Sequence, residues 1–228
     1  MSLNNYHVQQ IKREEARPWI LTKHYAHRMP SVSWAFGLYD GVELIGVCTF
    51  GSPASPTLCE GLCGKEYKHN VLEFNRLCLR DNKPNEGSFL VGRSLKKIPK
   101  PMIIVSFADT SEGHVGYIYQ ATNWIYTGLI QNHNKALFLD GKKLHSRTLI
   151  CKRTGCTDIE TLKGKYGSRL VVGGYEEKHR YVYFVGSKSQ KKQMKKDLIY
   201  LVLPYPKGES KRYDAKGPVP TQQLLFQS

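Results

Sequence analysis

The segment from Pro101 to Leu129 constrains the fold most, because it joins an apolar run to a polar turn and then to an aromatic-rich stretch. Its first part, Met102 to Phe107, is short and rich in β-branched residues, which predicts a buried strand. Asp109 follows at the carboxyl end of that strand. Ligands bind at such strand ends in open α/β sheets, so Asp109 is a candidate for chemistry. The alternative is that Asp109 only begins the turn and caps the next helix.

The second part of the segment has the period of a helix. One stripe of this predicted helix is mostly apolar and consists of Ile118, Ala121, Thr122, Ile125 and Leu129. A second stripe consists of Tyr119, Asn123 and Tyr126. Gly128 would end the helix. The prediction is therefore an acidic strand end that faces an aromatic helix.

The residues before this segment predict a mixture of helices and strands. We expect a helix from Val8 to Ala16 that Pro18 interrupts, a hairpin of Trp34 to Tyr39 and Val42 to Phe50 around an Asp40-Gly41 type I′ turn, a loop from Gly51 to Gly64, and a strand from Val71 to Arg80. In that last strand Leu72, Phe74 and Arg76 would share one face.

A polar loop then enters a helix that buries Val91, Leu95 and Ile98 and ends before Pro99. Ser88 is the expected cap. A small-residue loop that opens a helix presents backbone N–H groups to an anion, so Asn85 to Phe89 is a candidate seat for a pyrophosphate. The stretch is neither GxxxxGK[ST] nor GxGxxG, which argues against a P-loop and a dinucleotide fold.

The residues after Leu129 predict a second hairpin and a basic end. Expected elements are strands from Lys135 to Leu139 and Ser146 to Lys152 around Asp140-Gly141, a helix from Thr157 to Tyr166, a strand from Arg180 to Gly186, a helix from Lys188 to Lys196, and a strand-like run from Leu198 to Leu203.

Charge indicates the kind of partner. The 228 residues carry a formal net charge of +15. Residues 178–216 contain eleven Lys or Arg against three Asp or Glu, an excess of eight, with tyrosines between them. This pattern suits contact with phosphates and stacking on bases, so nucleic acid is the leading partner and an anionic membrane surface the weaker one. The alternative is a solvated basic face.

Other features suggest a protein of the cytoplasm. No apolar run approaches the roughly 18 residues that a membrane span needs, and the N-terminus does not resemble a signal peptide. The six cysteines are expected to be thiols. The residues from Gly217 to Ser228 read as a flexible tail. Within it, Gln222, Leu225 and Phe226 resemble the peptide that binds the bacterial sliding clamp, although a tail packed back on the domain would also explain them.

The order of elements resembles the GNAT acyltransferases. That resemblance implies an α/β fold with a mixed, mostly antiparallel central sheet and flanking helices, here as one domain (1–177) with a basic β/α extension (178–216) that completes the sheet and contacts DNA. It also implies acetyl-CoA, held by Asn85, Gly87, Ser88, Gly92 and Arg93. The Q/RxxGxG/A fingerprint of the family is missing from NEGSFLVGR.

A closer resemblance covers roughly residues 20 to 150. The matching motifs are HY (24–25), RMPS (28–31), WAFGL (34–38), NRLCL (75–79), SFLVGRSL (88–95), PKP (99–101) and GHVGYIYQATNWIYTG (113–128). These resemble the Mom family of phage DNA-modification proteins. The resemblance implies a phage or prophage enzyme, acting in the cytoplasm of the host cell, that places a methylcarbamoyl group on the exocyclic amine of adenine in double-stranded DNA and thereby shields phage DNA from restriction. Trp34 stands where relatives often carry Tyr.

The chemistry implied by this resemblance assigns roles to particular residues. The adenine amine is a poor nucleophile inside the duplex, so the base must be flipped out and oriented and must lose a proton. Asp109 would accept or orient the amine proton. Tyr119, or Tyr126 on the same predicted helix, would protonate a departing thiolate. Arg76 and Ser94 would hold the acyl donor. The expected base-contacting residues are Trp34, Tyr25, Arg28 and Asn123, with Tyr119 also able to stack.

A methylcarbamoyl product needs more than acetyl transfer, namely a rearrangement or a redox step. The resemblance therefore allows for iron, and the candidate ligands are His24, Tyr25, Asp109 and His114. Two other function classes stay open. An acyl-CoA-dependent N-acetyltransferase of a protein or small amine would keep the fold without needing the basic segment. A non-catalytic DNA-binding protein would keep the charge without needing Asp109 and Tyr119.

Overall fold

The computed structural model describes residues 5–144, 149–151 and 154–208, without the side chains of 132–134. In these residues one sheet has the strand order β1-β2-β3-β4-β5-β8-β6-β7. The strands are β1 (Tyr6–Gln10), β2 (Trp34–Asp40), β3 (Glu43–Gly51), β4 (Val71–Leu79), β5 (Met102–Asp109), β6 (Ile125–Leu139), β7 (Lys142–Leu144) and β8 (Leu170–Val185). The helices are α1 (Arg13–Thr22), α2 (Pro56–Cys63), α3 (Glu86–Lys97), α4 (Tyr117–Ala121), α5 (Ile159–Tyr166) and α6 (Lys188–Lys196).

The sheet is antiparallel except where β4 runs parallel to β5. The two parallel strands pair only from Val71–Ile103 to Glu73–Val105, although both continue for several residues. Their carboxyl ends therefore part and leave a split in the middle of the sheet. The mixed, mostly antiparallel α/β fold expected from the sequence is confirmed.

A β-bulge in β4 changes which side chains share a face. Phe74 lies opposite Phe50 and Arg76 lies opposite Thr49, so Asn75 is an extra residue on β4. Phe74 and Leu77 consequently pack in one core cluster, whereas Cys78 packs with α1 on the other side. The strict alternation predicted for this strand is wrong beyond Phe74, because the bulge resets the period.

Helices cover both faces of the sheet. On one face α3 and α4 pack over a cluster that includes Phe36, Leu90, Ile104 and Trp124. On the other face α1 packs over β2 to β4, while α2 and α6 enclose a cluster that contains Ile103 and Val105. Adjacent residues of β5 alternate between the two clusters, as a strand buried on both sides requires.

The N-terminal prediction is wrong in type. Residues expected to form a helix from Val8 form β1, because they pair with β2 from Tyr6–Asp40 to Gln10–Phe36. The helix begins only at Arg13 and includes Pro18 in its interior. The loop expected from Gly51 to Gly64 contains α2, which Ser55 caps through Leu58 N and which carries Pro56 at its first position.

The long aromatic helix is also corrected. α4 has only five residues, and the chain then turns through Asn123, whose φ is +59°. From Ile125 it continues as β6, where Ile125 and Tyr126 lie opposite Val182 and Tyr181 of β8. Gly128, with φ of +105°, lies at a register shift of β6 and does not end a helix. The pairing partner lies about 55 residues away, so the local period could not reveal it.

The C-terminal half mostly follows expectation. The Asp140-Gly141 hairpin is confirmed, with φ of +51° and +75° as a type I′ turn needs. At Asp40-Gly41 the hairpin forms, but of these two residues only Gly41 has positive φ. The helices α5 and α6 and the strand at 180–185 are confirmed.

Two terminal expectations differ or lie outside the described part. The run expected to be strand-like at 198–203 is irregular, although Leu203 N donates to Tyr126 O. The predicted strand at Ser146 is only partly described, and the tail with Gln222, Leu225 and Phe226 lies outside the described residues. Where the chain is described, no helix is both long and apolar enough to cross a membrane, and all six cysteines are free thiols.

Candidate active site

Tyr119 of α4 lies at the split between β4 and β5. The Ser106 hydroxyl is 2.7 Å from the carbonyl oxygen of Phe74, across the split, and 2.7 Å from the hydroxyl oxygen of Tyr119. Ser106 has one proton to give, and the carbonyl can only accept it. Because Ser106 donates its proton in the hydrogen bond to the Phe74 carbonyl, the Tyr119 hydroxyl must be the donor in the hydrogen bond to Ser106. Two strands and α4 thus meet at a single pair of hydroxyl groups.

The surroundings of Tyr119 keep it protonated. Its ring packs between Trp124 at 5.1 Å and Tyr181 at 4.9 Å, centroid to centroid. Burial raises the pKa of Tyr119 to about 12. The phenol is therefore an acid that retains its proton at neutral pH. Tyr126, the alternative, lies on β6 with its hydroxyl 2.8 Å from Nδ1 of His179, so the structure brings Tyr119 and not Tyr126 to the split.

Asp109 ends β5 and is 5% exposed. Its Oδ1 accepts hydrogen bonds from the backbone N and the hydroxyl of Ser111, at 3.1 and 2.6 Å, and its Oδ2 lies 3.2 Å from Nζ of Lys178. Burial alone would raise the pKa of Asp109, but Ser111 and Lys178 outweigh it and the pKa is lowered. Asp109 is thus a held carboxylate. The turn contact predicted as the alternative is present as well, since Asp109 caps the short 3₁₀ turn Thr110–Glu112.

His24 and Tyr25 lie in the same region as Asp109. His24 is buried, its Nδ1 accepts from the backbone N of Ala26 at 3.1 Å, and its ring centroid is 4.3 Å from that of Tyr25. Burial, followed by the charge of Arg76, lowers the pKa of His24 to about 2, so the ring is neutral. Burial and then the charge of Asp109 raise the pKa of Tyr25. The Tyr25 ring centroid lies 6.2 Å from that of His114.

Arg76 fixes this region from β4. Its guanidinium donates to the carbonyl of Arg28 at 3.1 Å through Nη2 and to that of Asn75 at 2.6 Å. The bulge at Asn75 explains why Arg76 reaches the segment that carries His24 and Tyr25. We name the group His24, Tyr25, Arg76, Asp109 and His114 the acceptor cluster. Arg76, expected at the acyl donor, is in this cluster instead.

A second region lies on the face covered by α3 and α4. It is an open cleft of about 440 Å³, here named the donor cleft. Its lining is Asn85, Ser88, Phe89, Gly92, Leu95, Lys96, Ala121, Thr122, Asn123 and Tyr183. Four of the predicted cofactor or substrate residues thus line one cleft of a volume that suits a small ligand. No acidic side chain belongs to this lining.

Two glycines shape the donor cleft differently. A Cβ on Gly87 would lie 2.6 Å from Cδ1 of Ile118, so Gly87 permits the close approach of α3 and α4. A Cβ on Gly92 would have no atom within 4 Å, so Gly92 leaves space in the cleft. Ser88 was expected to cap α3 but lies inside it, and its hydroxyl donates back to the carbonyl of Asn85 at 3.1 Å.

The remaining predicted residues lie elsewhere. Ser94 is fully buried with its hydroxyl 3.3 Å from Sγ of Cys48, outside the cleft lining. Trp34 is half-buried at the start of β2, against the core on the α3 side. Arg93 lies at the rim, with Cζ 5.2 Å from the ring centroid of Phe89. Arg28 contributes its carbonyl to the acceptor cluster.

The predicted iron site is not assembled in this arrangement. Among the described residues no group of three or more His, Cys, Asp or Glu side chains could hold a metal ion. Asp109 is engaged by Ser111 and Lys178, and the Nδ1 lone pair of His24 accepts a backbone N–H. The residues as arranged do not fit an iron ion. Iron stays a prediction.

Sequence reasoning missed Ser106, Ser111 and Lys178. Ser106 had a usable signal, because it is the polar residue in the apolar run MIIVSFA and a buried hydroxyl must find a partner. Lys178 had none, since it reaches Asp109 only through the pairing of β5 with β8. The basic helix α6 follows the other end of β8, beside Met102, and is separated from Asp109 by the length of β5, roughly 23 Å.

Comparison with known proteins gives matches at the level of sequence and of fold. The model of the Mom protein family matches residues 5–207. The methylcarbamoylase mom of Escherichia phage Mu is 31% identical over 200 residues, which cover 84% of this chain and 80% of that protein. An N-acetyltransferase from Staphylococcus aureus Mu50 superposes with a TM-score of 0.44 and 12% identity over 79% of this chain and 99% of that one. A putative acetyltransferase from Salmonella typhimurium, solved with its cofactor acetyl-CoA, superposes with a TM-score of 0.46 and 6% identity over 82% of this chain and 97% of that one.

Proposed function

This chain belongs to the Mom protein family, and we propose that it is a transferase that modifies adenine in DNA to a methylcarbamoyl-type adenine, protecting phage DNA from restriction in the host cell. The observation that carries this proposal is that an open cleft lies on the face covered by α3 and α4, while Asp109 and its partners stand at the end of β5, where β4 and β5 have parted. A protein that only bound DNA would need neither the cleft nor the split.

The donor proposed for the cleft is acetyl-CoA, which supplies an activated acyl thioester when bound. The residues fit such a ligand, because the lining combines Asn85, Ser88 and Asn123 with the space that Gly92 leaves. The carboxylate of Glu86 does not face the cleft, since it accepts hydrogen bonds from Tyr6 and from the backbone N of Lys83. An anionic ligand would thus meet no negative side chain in the lining.

At the split, the Tyr119 hydroxyl would hold the proton that a departing thiolate takes up. A pKa of about 12 supports this role, because the phenol remains protonated at every physiological pH. Ser106 would orient it, since its oxygen is fixed by the carbonyl of Phe74. The rings of Trp124 and Tyr181 pack against the Tyr119 ring and would limit its movement.

In the acceptor cluster, Asp109 would accept a hydrogen bond from the exocyclic amine and orient its lone pair, and it would take up the amine proton once the new N–C bond has made that nitrogen strongly acidic. The lowered pKa of Asp109 favours this role over strong base catalysis, because a carboxylate with low pKa takes protons reluctantly. Tyr25, partly exposed above His24, would stack on a flipped adenine. Lys178, whose Nζ lies 3.2 Å from Oδ2 of Asp109, and its neighbours would contact the DNA phosphates nearest the flipped base.

The test is mass spectrometry of nucleosides from DNA of bacteria that express this protein, with an empty vector as the control. We expect a modified adenine from wild type and none from Asp109→Ala or Asp109→Asn, each with its fold and DNA affinity retained. Unmodified adenine at good expression would exclude the proposal. Acetyl transfer to an added amine without DNA modification would favour the N-acetyltransferase, and DNA binding without either product would favour the non-catalytic protein.

A role for the tail remains a separate proposal. Gln222, Leu225 and Phe226 would dock on the bacterial sliding clamp and bring the enzyme to replicating DNA. Removing the last seven residues should then lower modification in replicating cells while leaving the modification of purified DNA unchanged. Equal modification in cells with and without these residues would exclude the clamp.

A further inference from the structure

Three cations surround the outer part of the donor cleft. Lys96 belongs to the lining, Arg93 lies 5.2 Å above the ring centroid of Phe89, and Nζ of Lys191 lies 5.5 Å from the ring centroid of Tyr183. Phe89 and Tyr183 are themselves the two aromatic residues of the lining. Each of the two aromatic rings in the lining therefore has a cationic side chain beside it.

Lys191 comes from α6, outside the elements that form the rest of the cleft. Ser187 and Gln190 form a reciprocal capping box that fixes where α6 starts after β8. Met194 is 1% exposed and fixes the rotation of α6 about its axis. Lys191 is thereby directed back towards Tyr183, two residues before the end of β8. Its position follows from packing and is not that of a lysine on an unconstrained surface.

The shape of this region favours a nucleotide over a duplex. The cleft is open but bounded, with a volume of about 440 Å³, whereas a DNA backbone is recognised by an extended surface. Aromatic faces with cations beside them suit a base and a phosphate that belong to one small ligand. The absence of acidic side chains from the described lining agrees with an anion.

We propose that Lys191, with Lys96 and Arg93, binds the phosphomonoester on the nucleotide part of the acyl donor, while Tyr183 or Phe89 contacts its base. This inference rests on the proposed thioester donor and extends it. It assigns the basic helix α6 to donor recognition, where its charge alone had suggested contact with DNA. A lysine of the C-terminal extension would then select 3′-phosphorylated donors from those that lack this group.

The experiment compares the binding of acetyl-CoA and of 3′-dephospho-acetyl-CoA to the full-length protein by calorimetry, without turnover. Wild type should prefer the phosphorylated donor about tenfold, a reasonable effect for charge-assisted contacts at a half-exposed site. Lys191→Gln should reduce that preference to about threefold or less while hardly changing the affinity for the dephosphorylated donor. Lys192→Gln is the matched control, since it removes the same charge about 100° further around α6.

The outcomes separate this inference from the proposed function. Equal donor preference in wild type and Lys191→Gln overturns it, as does a failure of wild type to bind either thioester. A loss of duplex DNA affinity in Lys191→Gln with donor affinity unchanged would assign the helix to DNA instead and also overturn it. If the preference depends on Lys191 but the DNA of expressing cells carries no modified adenine, the donor site stands and the proposed substrate fails.

Discussion

The donor cleft and the acceptor cluster lie beside the same pair of strands but are built in different ways. Apart from Tyr183, the cleft comes from residues near each other in sequence, on α3 and just after α4, and its lining includes one charged side chain, Lys96. The cluster combines His24, Arg76 and Asp109 from three distant segments, buries His24 and Asp109, and is held by Lys178 from a fourth segment. A cleft that binds an extended ligand can stay open to solvent. A site that orients a single amine needs side chains that are held in place by contacts from several parts of the chain.

The largest expected effect tests the point where the two regions meet. Tyr119→Phe should lower the turnover rate about 100-fold by removing the proton donor, with donor affinity unchanged. Tyr126→Phe should lower it far less, since that hydroxyl contacts His179 instead of Ser106. Because the pKa of Tyr119 is raised to about 12, its proton is lost only near that pH, so wild type should not lose activity through Tyr119 between pH 8 and 10. Single-turnover rates of the two variants test this prediction. Equal rates would show that the Tyr119 hydroxyl is not the proton donor.

The second prediction concerns how α4 is held between the regions. Gly116 precedes α4 with φ of +83°, and an added Cβ would lie 2.4 Å from a ring carbon of Tyr181. Gly116→Ala should therefore lower the free energy of unfolding by about 2 kcal/mol or more. Gly113→Ala is the control, because Gly113 also has positive φ, +69°, but has no atom within 4 Å of an added Cβ; it should cost about 1 kcal/mol. Urea denaturation measures both, and equal losses would refute the packing argument.

The third prediction separates the donor cleft from the acceptor cluster. Gly92→Leu should weaken acetyl-CoA binding about tenfold, because the new side chain fills space that the ligand needs while touching no protein atom at its Cβ. DNA affinity should not change. Gly164→Leu in α5 is the control, being a helical glycine with equally open surroundings far from the cleft. Unchanged acetyl-CoA affinity in Gly92→Leu would show that the donor binds at another site.

The smallest expected effect concerns the acceptor cluster and the hairpin beside it. Nζ of Lys143, on β7, lies 2.5 Å from the hydroxyl of Ser111, which in turn holds Asp109. Lys143→Met should slow turnover about threefold, in keeping with the modest value of exposed charged contacts. Donor affinity should stay as in wild type. The adjacent Lys142→Met is the control, and an equal rate loss in it would indicate a general effect of charge.

Several parts of the fold and of the site could be predicted because their causes are local. The β-branched run before Asp109, the Asp140-Gly141 turn and the capped lysine helix each follow from residues within a few positions of one another. The cleft residues Asn85, Ser88 and Gly92 were found for the same reason. The position of Asp109 at the end of β5 could be predicted without knowing which strands or side chains lie next to it in the fold.

Tertiary structure decided the rest, because the causes lie far apart in the chain. Asn75 becomes a bulge only when β4 pairs with β3, and that bulge moves Arg76 from the expected donor side to the acceptor cluster. Ile125 and Tyr126 continue as a strand only because β8 is available to pair with them. Thus local patterns were enough to make Asp109 and the α3 loop candidates, whereas long-range pairing brings Lys178 to Asp109 and places Tyr119 against Ser106 of β5. Sequence patterns report local conformational preference, and only the folded chain satisfies charges and hydrogen bonds across distant segments.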